Sequence, residues 1–148
     1  MSMGNQTFHE RTLRSTLNPA SVNGASASSP WVNVSNARRL CALIAIGATD
    51  AAVDAKIEQA SDSSGTGAKD ISGAAITQLT STSDNKQASI DLETDRLDHA
   101  AGFGYVRLTV TVASGTTGAV VAGEVLMTAR HQPVTQPATY VEKVVVAG

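Results

Sequence analysis

One cysteine, four prolines and an aromatic content of 3% leave this 148-residue chain without several common means of building a protein. Cys41 on its own cannot close an intrachain disulfide or supply a paired-cysteine metal site, and it reads as a small buried apolar residue. With so few rings, the core has to come from Val, Ile, Leu and Ala. Charged residues make up only 16% and the net charge is −2, with the lysines and arginines spread along the chain. Such a distribution creates no field that would gather nucleic acid. The longest apolar run, Leu40 to Ile46, falls far short of the ~20 residues a membrane-spanning helix needs. The first twenty residues hold no apolar stretch of signal-peptide length. The expectation is a soluble protein made in a cytoplasm, with neither nucleic acid nor membrane as a partner.

Catalytic patterns are equally scarce. His9, His99 and His131 stand far apart, and none sits among carboxylates at metal-ligand spacing. Gly65-Thr66-Gly67 with Lys69 lacks the full phosphate-loop pattern and reads as a turn. Asp91, Glu93, Asp95 and Asp98 crowd one stretch but lack the calcium-loop spacing with its distal glutamate, so they read as an exposed strand edge entering a capped turn. No G-x-S-x-G elbow occurs among the many serines. The chain is therefore expected to be no enzyme, with no metal and no cofactor.

What the chain does contain is a series of strands and turns. Its length suits one domain. Residues 1–30 are polar and carry two helix-breaking pairs, Asn18-Pro19 and Ser29-Pro30. They read either as a tail without fixed structure or as an extended arm that orders only against a partner. In the second case Phe8, Arg11, Arg14 and Leu17 are the candidate contacts. Trp31 to Val34 alternates and opens the expected folded domain, 31–133. Arg38 to Gly47 is apolar on both parities, which fits a strand covered on both faces or a short buried helix; the strand is favoured.

Val53, Ala55 and Ile57 alternate with Asp54, Lys56 and Glu58, although Val53 and Ile57 also fit helical spacing. Ile76 to Thr80 and Gln87 to Glu93 read as further strands. Thr94 to Ala101 reads as one or two helical turns capped by Thr94 or Asp95 and ended by Gly102. Tyr105 to Ala113 alternates most cleanly, with Tyr105 and Arg107 on the side away from the core and so candidates to face a neighbouring subunit. It is expected to form a hairpin with Ala119 to Arg130. The tail, 134–148, ends in a valine run, Val144 to Val146, that should pair with a sheet or with another chain. Seven or eight short strands at this spacing point to a β-sandwich or a small barrel.

The segments DAKIEQASDSSGTGAKDISGAAITQLT, SDNKQASIDLETDRLD and GFGYVRLTVTVA, followed by a terminal strand running into ARHQPV, carry a resemblance. From Ala48 to Pro133 the chain resembles small structural proteins of tailed-bacteriophage virions, of the capsid decoration (cement) or head-spike-base type. The resemblance implies an all-β virion component on the capsid surface, an antiparallel β-sandwich of jelly-roll-like form with an extended N-terminal arm and a C-terminal tail. Its partner would be the major capsid protein, and it would often assemble as a homotrimer. Head–tail joining (neck) proteins and fibre bases are the alternative position. A carbohydrate-binding module on the particle is a third reading, disfavoured by the few aromatics available for stacking on sugars.

Overall fold

The computed structural model describes residues 7–129 and Thr135. His131 and the valine run of the tail lie outside the described residues. The strands pair as a nested series, all antiparallel. Strand β1 (Thr12–Val22) pairs with β9 (Ala119–Ala129), and β2 (Ala25–Ser28) pairs with β8 (Tyr105–Val112). Strand β4 (Ala37–Thr49) pairs with β7 (Gln87–Glu93), and β5 (Val53–Ala60) pairs with β6 (Lys69–Ala75). The two-residue β3 (Val32–Asn33) adds beside β8.

Nesting of this kind describes one long double-stranded ribbon with its tip at the β5–β6 turn. Rolled up, the ribbon brings β4 beside β9 and β5 beside β8. The result is two packed sheets, of order β1-β9-β4-β7 and β2-β8-β5-β6, which is the jelly-roll arrangement.

Period-2 alternation turns one side of every strand inward. Leu40, Ala42, Ile44 and Ile46 of β4 and Val121, Val125 and Met127 of β9 meet Val53, Ala55 and Ile57 of β5 and Val106, Leu108, Val110 and Val112 of β8; all are buried. Each large aliphatic side chain removed from water in this way contributes about 1.5–3 kcal/mol. The core needs no rings.

Several expectations are corrected. Residues 7–30, the described part of the expected arm, do not wait for a partner, because most of them pair within the chain and Leu17 and Val22 are buried in the core. A boundary at residue 31 therefore cuts through the sandwich. Pro19 is accommodated because β1 is an edge strand whose register shifts between Leu17 and Ala20, the kind of place where a missing N–H is tolerated. Before it, Phe8–Arg11 forms one helical turn, α1, closed by a Thr7/Glu10 capping box. Trp31 to Val34 contributes only the short β3.

The expected hairpin of β8 with β9 does not form. Those strands belong to different sheets, and the chain between them crosses from one layer to the other. Asp50, just after β4, holds that crossing by accepting hydrogen bonds from Thr117 N and Gly118 N, both at 2.8 Å. The strand expected at 76–80 is centred earlier, on Lys69–Ala75, and breaks at Gly73, whose φ of 81° suits glycine. Beyond it, backbone hydrogen bonds of Ile76 with Ala55 and of Leu79 with Val53 continue the pairing irregularly. Thr94–Arg96 and His99–Ala101 are single 3-10 turns, the second ended by Gly102 in the left-handed region. Thr94 caps neither; its hydroxyl instead donates to the carbonyls of Ala37 and Arg38.

Candidate interaction face

The two outer faces of the sandwich differ in kind. On the β2-β8-β5-β6 sheet the outward positions are polar and satisfy one another. Glu58 is the centre: one of its oxygens accepts from Arg107 Nε at 2.9 Å and Thr109 Oγ1 at 2.7 Å, while the other lies 3.1 Å from Lys56 Nζ. Burial raises the carboxyl's proton affinity, but hydrogen bonds from Thr109, Arg107 and Lys56 outweigh it and hold the pKa below the usual carboxylate value. Lys56 also reaches Asp70, and the hydroxyls of Ser28 and Ser26 pair with those of Thr109 and Thr111 across β2 and β8. The Arg107 guanidinium lies 4.5 Å over the Trp31 ring. Gly65 of the β5–β6 turn fits under that ring, where a Cβ would sit 2.5 Å from the indole nitrogen.

On the β1-β9-β4-β7 sheet the outward positions of the two middle strands, β9 and β4, carry an apolar strip. The both-parity run of β4 puts Cys41, Leu43 and Ala45 outside, opposite Leu126, Glu124 and Ala122 of β9. A strand covered on both faces was one expectation for this run; among the described residues only the inner side is covered, and Leu43 is 44% exposed. Val120 shares the outward parity of β9 and is 45% exposed, and Phe8, beside the same face, is 67% exposed. These three are the exposed large hydrophobics among the described residues, and all lie on one side of the sandwich.

An open groove of about 490 Å³ runs between Leu43, Ala45, Ala122, Glu124 and Arg14. A second, of about 230 Å³, lies between Phe8, Cys41 and Leu126. Ion pairs flank the apolar strip on both sides. Arg14 lies 3.4 Å from Glu124 toward β1, and Arg39 pairs with Asp91 and Glu93 toward β7.

Cys41 is half-buried on this outer face, not in the core, and carries a free thiol. Its pKa is raised by partial burial and by the negative charge of Asp91. Among the described residues no group of His, Cys, Asp and Glu side chains is arranged to hold a metal ion. The acidic stretch disperses: Asp91 and Glu93 turn to Arg39, while Asp98 pairs with Lys69 at 2.7 Å. Lys69 in turn sits 4.1 Å over the Phe103 ring.

The six candidate contact residues do not converge. Phe8 borders the apolar face, Arg11 ends α1, and Arg14 lies on the face itself with its guanidinium 6.0 Å from the Phe8 ring. Leu17 is only 4% exposed, so it serves the core and cannot be a contact. Tyr105 and Arg107 stand on the opposite sheet, where Arg107 is engaged by Glu58 and Trp31 within the chain. Cys41, Leu43, Val120 and Leu126 were missed, although the doubly apolar run around Leu43 was their signal: a strand of that kind has a second face in need of cover.

No protein-family model matches the chain, and no curated protein matches it. Among solved structures, it is similar to a chain of Broad Bean Stain Virus, at 10% identity over 91% of this chain and 93% of that one, with a TM-score of 0.46. It is also similar to a Bacillus endospore appendage protein, at 11% identity over 87% and 96% with a TM-score of 0.43. A third is a family two carbohydrate esterase from Cellvibrio japonicus, at 16% identity over 86% of this chain with a TM-score of 0.38; the chain spans only 32% of that esterase's length. No helix among the described residues is long and apolar enough to cross a membrane.

Proposed function

We propose that this chain is a capsid decoration (cement) protein of a tailed bacteriophage, bound to the assembled head through the major capsid protein and stabilising it. On this reading it is not an enzyme. It works by adding buried area across junctions between shell subunits, and because it binds only the assembled lattice, it stabilises that lattice by mass action. Stable protein contacts bury about 1,200–2,000 Å² in total, and many symmetric copies multiply the effect.

The observation that carries the reading is the division between the two faces. One is closed by its own ion pairs and hydroxyl ladder; the other gathers Phe8, Leu43 and Val120 where protein can cover them. The segments that carry the phage resemblance include β5, β6 and β8 of the polar-faced sheet and β7 at the edge of the other.

The reading is tested by adding the purified full chain to phage heads that lack it. Saturable binding and release of DNA only at a higher temperature are expected. Heads that bind none of it, or that burst at an unchanged temperature when saturated, would contradict the reading.

A further inference from the structure

The sheet edges are β1 and β7 in one layer, and β2 with β3, and β6, in the other. Most are blunted in ways that discourage a further strand. Strand β1 carries Pro19 and a register shift, β2 and β3 are four and two residues long, and β6 breaks at Gly73. Strand β7 differs. It pairs with β4 over Gln87–Glu93 in unbroken register, contains no proline, and among the described residues has no partner on its outer side. We propose that this edge is the docking site for residues 140–146 of the same chain, added as an antiparallel strand.

Strand direction selects the edge. Strands β9 and β7 both run antiparallel to β4 and end beside its start, with Ala129 opposite Ala37 and Glu93 opposite Arg39. Chain that leaves β9 there and turns back runs antiparallel to β7. It would run parallel to β1, which begins at that same end with Thr12 opposite Thr128. Every strand pair of the sandwich is antiparallel, so β7 continues the pattern and β1 does not. The step from β9 to the far side of β7 covers three strand spacings, about 14 Å. Residues 130–139, extended, reach up to ~33 Å.

The chemistry of the segment suits the edge. Val144, Val145 and Val146 are β-branched and favour a strand. Alternation sets Val144 and Val146 in line with Ile90 and Leu92 of the core, and Lys143 on the outer side with Asp91 and Glu93. Those two carboxylates share the one guanidinium of Arg39, which leaves a negative charge at the edge for Lys143 to match. An open groove of about 470 Å³ lies between β6 and β7, lined by Ser72, Gly73, Ala74, Leu92, Glu93 and Arg96. A strand beside β7 fills it, and Glu142 then falls toward Arg96, just past the end of β7. Strand addition of this kind draws its affinity from main-chain hydrogen bonds.

The added strand leaves Leu43 and Val120 open to a partner, and its test uses the isolated full chain without heads, so this inference and the proposed function can each fail alone. In NMR spectra of the labelled chain, cross-strand NOEs should join residues 140–146 to 87–93 in antiparallel order. The amides of Val144, Val145 and Val146 should exchange about tenfold or more slowly than in an unstructured chain. Val144→Pro, which removes a strand amide, should return the other two and the outer amides of β7 to fast exchange. Val144→Thr, which keeps the amide and the β-branch, should leave both protected. Val110 and Val125 should keep their protection in every variant and so report that the fold survives.

Unprotected tail amides would overturn the inference, as would a Val144→Pro variant that leaves β7 unchanged. NOEs from the segment to the Leu43 face or to any strand other than β7 would also overturn it. So would NOEs found only between differently labelled copies in a mixed sample, which would put the tail of a second copy at the edge.

Discussion

Leu108 of β8 occupies the space that a side chain on Gly123 of β9 would need: a Cβ there would lie 2.5 Å from Leu108 Cδ2. The two residues belong to opposite sheets, and this contact sets how closely the sheets approach at the middle of the sandwich. Gly123 also lines the groove on the outer side, so one small residue serves both core and face. Gly123→Ala should destabilise the fold by about 1–3 kcal/mol through overpacking. Denaturant unfolding of Gly123→Ala, Leu108→Ala and the double variant measures the coupling, and the double variant should lose less than the sum of the singles.

Glu58 gives the polar face a signature in acid. Its folded pKa lies below the unfolded value of about 4.3, so its contribution to stability is present above that pH and is lost as pH falls through the folded pKa. At neutral pH, Glu58→Gln should be less stable than wild type by about 1–3 kcal/mol, the range for disturbing hydrogen bonds to a charged, largely buried group. The gap should narrow as pH drops below about 4.3. Asp50, Asp62 and Asp98 also have lowered pKa values, but they are common to both proteins and cancel in the difference. Urea unfolding at a series of pH values reads the gap directly.

Arg107 belongs to the interior economy of one chain, and its removal should show there. Arg107→Ala takes away the guanidinium over Trp31, worth about 0.5–2 kcal/mol for a partly desolvated cation–π pair, and leaves Glu58 with fewer partners. Since Trp31 is the only tryptophan, its fluorescence reports the change without ambiguity. A shifted emission spectrum and reduced stability with an unchanged sedimenting mass are expected, because this residue stands on the sheet opposite the apolar face.

Asp50 makes a local prediction. Its carboxylate fastens the layer crossing between β8 and β9 through Thr117 and Gly118. In Asp50→Ala the amides of those two residues should exchange faster with solvent, while those of Val110 and Val125 keep their protection.

How much of this was legible in the sequence follows from which signals are local. Alternation marked β7 and β8 correctly, because a half-exposed strand prints its burial on every second residue, whereas β5 stayed open because Val53 and Ile57 fit both periods. Strand β1 was hidden because Pro19 and its polar neighbours imitate a loop, and only the register shift on an edge strand explains how the pairing survives them. The Thr7/Glu10 capping box was readable and was overlooked. Partner choice was not local: Val106 to Val112 and Ala119 to Ala129 look like two arms of a hairpin, yet the short link between them spans two layers. The apolar face was half legible. Leu40 to Ile46 announced two sides to be covered, but which side lacks cover depends on the inward turn of Leu40 and Ile44.

The central claim is that this chain decorates a phage head, and the number of copies on the particle tests it most directly. Quantitative mass spectrometry of purified virions gives the ratio of this chain to the major capsid protein. The account predicts hundreds of copies per particle, in fixed proportion to the shell. A dozen or fewer would place the chain at the neck or a fibre base, and would contradict it.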